Sequence, residues 1–131
     1  MNRVTKPGFV IAAPVSGSGK SMLASGLMRA FSRRYAVQPF KVGPDYIDLM
    51  YHGAACGTPS VNLDPWMLPS EKLRSVYAKR AAQADLSIVE GVMGMFDGIS
   101  GDPMNGSTAG VAELLGLPIL LVVDCGKMAG S

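Results

Sequence analysis

The sequence predicts an α/β fold: a mainly parallel sheet with helices on both faces. Three observations carry that prediction. Short, continuously apolar runs recur along the chain, stretches with apolar residues at helical spacing separate them, and a glycine-rich turn joins the first run to the first helix. The chain has 131 residues, which suits one domain with a real core. Apolar residues make up 48% of it and charged residues 17%, the balance of a globular chain rather than a disordered one.

Residues 9–13 follow Pro7-Gly8 and read as a first buried strand. Residues 22–35 read as a helix, because Leu23, Leu27 and Phe31 fall four apart with Ala24 and Met28 beside them. A second strand covers 37–42 and ends at Gly43-Pro44. Residues 45–55 are ambiguous and allow a short helix, while 57–69 read as loop. Ser70 is a candidate cap for a helix to about residue 84, with Leu73, Val76, Tyr77 and Ala81 on one face. A third strand covers 86–90. The glycine-rich stretch 91–106 is a long loop, which in a compact domain usually serves function. A helix over 108–115 ends at Gly116, with Pro118 beyond, and a fourth strand covers 119–124. The chain stops at "DCGKMAGS", where such a fold should start its next helix, so a partial domain of a longer protein is expected.

Composition narrows the partners. A net charge of +2 with scattered basic residues gives no nucleic-acid surface. Arg29, Arg33 and Arg34 sit late in the first helix, where cations suit its dipole. No apolar run reaches the roughly 18 residues of a membrane span, and no leader pattern opens the chain. Cys56 and Cys125 lie far apart, as reduced thiols in a cytoplasmic protein would.

The segment "APVSGSGKS" carries the strongest chemical signal. The phosphate-cradling P-loop pattern is G-x-x-x-x-G-K-[ST]; Pro14 replaces its first glycine, and Gly19, Lys20 and Ser21 match. Gly17 and Gly19, with Ser16 and Ser18 between and before them, let backbone N–H groups point at phosphates. Lys20 is placed to reach the β- and γ-phosphates and Ser21 to hold Mg²⁺. The plain alternative is a flexible loop before an ordinary helix, but the motif follows a buried strand and opens an amphipathic helix, as a P-loop must. Val15 stands where partitioning and targeting ATPases of this superfamily carry an extra lysine, which speaks against that class.

Carboxylates gather at the predicted strand ends, which border the ligand crevice of an open α/β sheet. Asp45, in "KVGPDYID", is a candidate metal ligand beside Ser21, or else part of a solvated turn. Glu90 ends a buried strand, where a carboxylate is costly unless paired or metal-bound; it fits a Walker-B role, with a surface strand cap as the plain alternative. Gly91, Gly94 and Gly98 let the following loop pass close to a ligand, and Asp97 lies further along it. Phe96 and the loop methionines read as packing residues. His52, the single histidine, lacks partners at metal-ligand spacing and reads as an ordinary polar contact, with substrate binding as the remainder. Asn62 and Asp64 lie in a polar loop, as turn formers or substrate contacts.

Taken together, "APVSGSGKS", "FKVGPDYID", "NLDPWM", "VEGVMGMFDG" and "STAGVAELLGLPILLVVDCGKMAGS" resemble the cobyrinic acid a,c-diamide synthase family over nearly the whole chain from Phe9. Dethiobiotin synthetase shares the fold, so the resemblance implies the three-layer P-loop NTPase architecture. It implies ATP- and Mg²⁺-dependent, glutamine-driven amidation of the a- and c-acetate groups of a corrinoid through acyl phosphates. It further implies that the C-terminal glutaminase domain, through which glutamine enters, lies outside this chain, and it allows a homodimer. The fragment by itself is expected to be inactive. Hydrogenobyrinic acid and nickel-sirohydrochlorin are alternative substrates, and a dethiobiotin-synthetase-like enzyme or a regulatory switch the alternative classes. On this resemblance Gly17, Gly19 and Lys20 hold phosphate, and Ser21, Asp45 and Glu90 form the metal site. Lys41 offsets charge on the transferring group, Tyr46, Asp48 and Asp97 face the corrinoid, and Ser107 and Thr108, at a helix start, bind a substrate carboxylate.

Overall fold

The computed structural model describes residues 6–15, 19–98 and 105–125. In chain order they form β1 (Gly8–Ala12), α1 (Lys20–Ser32), β2 (Val37–Val42), α2 (Ile47–Cys56), β3 (Val61–Leu63), α3 (Ser70–Ala81), β4 (Leu86–Glu90), α4 (Thr108–Leu115) and β5 (Ile119–Leu121). The strands make one five-stranded sheet in the order β3-β2-β4-β1-β5, and every pairing is parallel. All strand C-termini therefore share one edge, and the expected α/β class holds.

Successive residues of a strand face opposite sides, and the two sides are covered by different helices. Val10, Phe40, Val42, Leu63 and Val89 pack beneath α3 and α4, against Leu73, Tyr77, Ala81, Val111 and Ala112. Ile11, Val37 and Ile88 pack beneath α1 and α2, against Ala24, Met28, Leu27, Phe31 and Ala55. Each large apolar side chain so buried contributes roughly 1.5–3 kcal/mol.

Four differences from the sequence reading have local causes. The stretch 57–69 contains β3, whose three residues are too few to display a period; it forms because it pairs with Phe40–Val42 and Gly43 N–H donates to Leu63 O at 2.9 Å. The ambiguous 45–55 stretch is helical, started where Asp45 Oδ1 accepts the Asp48 N–H at 3.0 Å and closed by Gly57 in the left-handed region at φ 69°. Ser70 is the first helical residue of α3 rather than its cap; Pro69 holds the cap position and no side chain caps it. β5 and α3 end earlier than expected, at Leu121 and Ala81.

Candidate functional site at the strand ends

The register builds the site. Ile11 lies opposite Glu90, Glu90 opposite Lys41, and Lys41 opposite Asn62, so these four make a row across β1, β4, β2 and β3. Ile11 packs under α1 and α2, and alternation puts the whole row on that face. One step earlier in each strand the side chains turn to the α3/α4 face and are apolar: Val10, Val89 and Phe40.

Onto this row α1 and α2 lower their own polar groups. Gly19 caps α1 with φ 77° and ψ 14°, a left-handed conformation that strains any residue with a Cβ, although nothing lies within 4 Å of where one would stand. Glycine is needed there for its backbone. Among the described residues no side chain caps α1, and the first-turn N–H groups of a helix are where an anion binds. These features fit a phosphate. The cradle candidates Ser16, Gly17 and Ser18 lie outside the described residues.

Lys20 and Ser21 turn inward. Ser21 Oγ donates to Glu90 Oε2 at 2.7 Å. Lys20 Nζ donates to Gly91 O at 2.8 Å and lies 3.3 Å from Glu90 Oε2. Among the described residues that gives two acceptors for three N–H donors. Lys41 Nζ has a full set: Glu90 Oε2 at 3.1 Å, Gly91 O at 2.9 Å and Asp48 Oδ2 at 2.9 Å. His52, from α2, approaches the other carboxylate oxygen. Its Nε2 lies 2.7 Å from Glu90 Oε1, and its Nδ1 lies 3.0 Å from Ser60 Oγ. Lys41, His52 and Glu90 are buried.

Burial alone would push the Glu90 carboxyl up; the hydrogen bond from His52, the Lys41 charge, the Ser21 hydroxyl and Lys20 outweigh it and hold the acid well below the usual carboxylate range. Glu90 is thus an anion facing several donors. Burial would also lower Lys41, but attraction to Glu90 and the bonds to Asp48 and Glu90 win, and its ammonium is stabilised. Lys20 goes the other way: burial, and then repulsion from Lys41, make its proton easier to lose. The site holds two lysines whose charges are fixed differently by their neighbours.

The proposed metal set is joined only in part. Ser21 and Glu90 are in direct contact, and hydroxyl and carboxylate oxygens suit a hard cation. Asp45 is half-buried and commits Oδ1 to the Asp48 N–H. Among the described residues no three His, Cys, Asp or Glu side chains form a cluster that would hold a metal alone. Magnesium characteristically takes one or two protein oxygens and completes its shell with phosphates and water, so the donor set fits Mg²⁺ carried by a nucleotide.

Other candidates are placed differently. Ser107 and Thr108 are fully buried. Ser107 Oγ accepts the Gly110 N–H at 3.0 Å and caps α4. Thr108 Oγ1 accepts from Val92 N at 2.9 Å and donates to Val92 O at 3.1 Å, clamping the loop after β4. Both hydroxyls thus make hydrogen bonds to the protein's own backbone. Asp64 is buried and accepts the Trp66 N–H at 3.0 Å, which is turn chemistry. Asn62 belongs to the row, and its buried Oδ1 has no hydrogen-bond partner among the described residues. Tyr46 and Asp97 are exposed, with Asp97 Oδ2 accepting the Gly94 N–H at 2.9 Å. Gly91 and Gly94 are small for the protein's own sake: a Cβ would stand 2.5 Å from the Thr108 methyl and 2.8 Å from Pro14 O. The expected close approach to a ligand is, at these two, an approach of chain to chain.

Sequence reasoning missed His52 as a member of the site. Its signal is helical phase. Asp48 and His52 stand four apart in α2, hence on one face, and they meet Lys41 and Glu90 respectively.

Residues 9–127 match the family model described as the CobQ/CobB/MinD/ParA nucleotide binding domain, and the chain belongs to that family. It is 52% identical over 121 residues to the cobyrinate a,c-diamide synthase of Picrophilus torridus, which covers 92% of this chain and 28% of that protein. It is 50% identical over 123 residues to the cobyrinate a,c-diamide synthase of Caldanaerobacter subterraneus, covering 94% and 27%. It is likewise 50% identical over 119 residues to the hydrogenobyrinate a,c-diamide synthase of Mycobacterium bovis, covering 87% and 26%. The chain spans about a quarter of the length of these relatives.

Proposed function

We propose that this member of the nucleotide-binding family binds ATP with Mg²⁺ and uses it to activate carboxylates for amidation, the substrate being the a- and c-acetate groups of cobyrinic acid in cobalamin biosynthesis. The observation that carries the reading is the meeting of Lys20, Ser21 and Lys41 at an ionised Glu90 beside the N-terminus of α1. The names of the relatives supply the substrate class.

A carboxylate resists ammonia because its oxygen leaves poorly. Transfer of the γ-phosphoryl group onto that oxygen, with departure of ADP, makes an acyl phosphate. The ammonia lone pair then attacks the acyl carbon, the C–O bond breaks with its electrons going to phosphate, and nitrogen loses a proton. Such transfer depends on positioning and charge neutralisation, which is what fixed cations and N–H dipoles provide. Gly19, Lys20 and the preceding Ser16, Gly17 and Ser18 hold phosphate oxygens. Ser21 and Glu90 hold the magnesium, with Asp45 Oδ2 a further oxygen for it. The bound ion supplies neutralisation of phosphate charge. Lys41 balances charge near the transferred group, with Asp48 fixing its direction. Tyr46 and Asp97, exposed, are assigned to the corrinoid side. Glutamine enters through a domain outside this chain, and dependence on ATP places the reaction in the cytoplasm.

The test is direct. The whole protein is incubated with ATP, Mg²⁺, ammonia or glutamine, and cobyrinic acid, and product mass is followed. Two successive carboxyl-to-amide conversions, each with one ATP consumed, are expected. ATP consumption with no amide formed would sink the reading, and a parallel arm with hydrogenobyrinic acid distinguishes the metal-free ring from the cobalt one.

A further inference from the structure

We infer that His52 is a positioning residue of the nucleotide site, acting through Glu90. The inference rests on the proposed magnesium-nucleotide reading and adds to it a residue outside the P-loop and strand-end motifs.

The two oxygens of Glu90 are divided between two sets of partners. Oε2 receives Ser21 and Lys20, from the start of α1, and Lys41, from β2. Oε1 receives His52 at 2.7 Å. A carboxylate held at one oxygen only can still turn about its last bond. Held at both, its plane is fixed, and with it the direction of the Oε2 lone pairs toward Ser21. Glu90 is an anion and therefore accepts, so Nε2 carries the hydrogen. Ser60 Oγ, 3.0 Å from Nδ1, holds the other side of the ring. The ring is fully buried, and its support comes from two directions: α2 sets its position, and Ser60, just before β3, sets its rotation. This is the arrangement by which outer partners orient metal-binding groups.

A core histidine that merely fills space would tolerate any side chain of similar volume. The proposed role asks for one donor at the Nε2 position. Glutamine can place an amide N–H there. Asparagine is shorter and mimics only the Nδ1 side, reaching Ser60 but not Glu90. The two amides therefore separate packing from positioning.

The experiment measures ATP affinity of the whole protein by titration calorimetry, with Mg²⁺ and with EDTA, for wild type, His52→Gln, His52→Asn and Ser60→Ala. His52→Asn is expected to lose roughly 10- to 100-fold of the magnesium-dependent part of the affinity, the usual effect of removing a partner that orients a metal ligand. Affinity in EDTA should stay near wild type. His52→Gln should recover most of the loss, and Ser60→Ala should show a smaller loss of the same component. Unchanged magnesium dependence in His52→Asn overturns the inference, as does equal impairment of the two amides. Should His52→Asn fail to fold, His52→Gln and Ser60→Ala decide: retained affinity in the first with a magnesium-specific loss in the second supports the role, and any other pair of results overturns it. Wild-type protein that binds no ATP refutes the nucleotide reading itself, and the role of His52 falls with it.

Discussion

The two faces of the sheet are made by the same alternation and do different work. Toward α3 and α4, Val10, Phe40, Val42, Leu63 and Val89 are apolar out to the strand ends. Toward α1 and α2, the strands begin apolar, with Phe9, Val37 and Ile88, and finish with Glu90, Lys41 and Asn62. One face spends its whole area on burial. The other gives up its last row to charges, which it must then pair internally. The lesson is that a buried acid at a strand end is tolerable here because β2, α1 and α2 each bring it a donor.

Substitutions on the two faces should therefore fail in different ways. Phe40→Ala, on the apolar face, removes a fully buried ring that lies 4.9 Å from that of Tyr77. It should cost about 3–5 kcal/mol in urea unfolding, through lost burial and the cavity left behind. The nucleotide affinity of the remaining folded protein should not change. Glu90→Gln, on the polar face, leaves Lys20 and Lys41 without their shared anion, while Asp48 still serves Lys41. A loss of about 3 kcal/mol is expected from breaking buried pairs. Magnesium-dependent ATP binding should go with it. If Glu90→Gln kept wild-type nucleotide binding, or if Phe40→Ala changed it, the division of labour between the faces would be wrong.

The same pair predicts a pH signature. Glu90 titrates at 4.5 in the unfolded chain and lower when folded, so the folded state binds its proton more weakly. Its stabilisation is complete above about pH 4.5 and is lost as pH falls from there toward the folded value. Wild type should thus lose stability on acidification through that window more steeply than Glu90→Gln, while Phe40→Ala should keep the wild-type slope. Urea midpoints between pH 5 and pH 3 check this, and parallel slopes in all three would remove Glu90 from the account.

How much of this could be read from the residues alone follows the same split. The apolar runs declare themselves, because strand burial demands particular residues at fixed spacing, and Gly19-Lys20-Ser21 does open a helix after a buried strand, as its pattern requires. The order β3-β2-β4-β1-β5 does not, because it depends on which strands pair. That order decides that Lys41 faces Glu90. β3 is invisible at three residues. His52 hid for another reason: its partners, Ser60 and Glu90, are 8 and 38 positions away, so no local pattern contains them. For Ser107 and Thr108 the residues alone do not decide between fold and ligand, because the start of a helix offers donors to an anion whether or not its own side chains already use them.

Ser107→Ala gives the smallest and most discriminating effect. The hydroxyl caps α4, accepting the Gly110 N–H at 3.0 Å from a fully buried position. Loss of a serine cap costs about 1 kcal/mol. α4 packs on the apolar face, where Val111 and Ala112 meet Val10 and Val89, so the loss should appear as stability alone. Were Ser107 a contact for a substrate carboxylate, the same substitution would raise KM for the corrinoid in the whole protein while sparing the urea midpoint. A modest midpoint shift with KM unchanged assigns the residue to the fold; the reverse would return it to the site and redraw the boundary between the two faces.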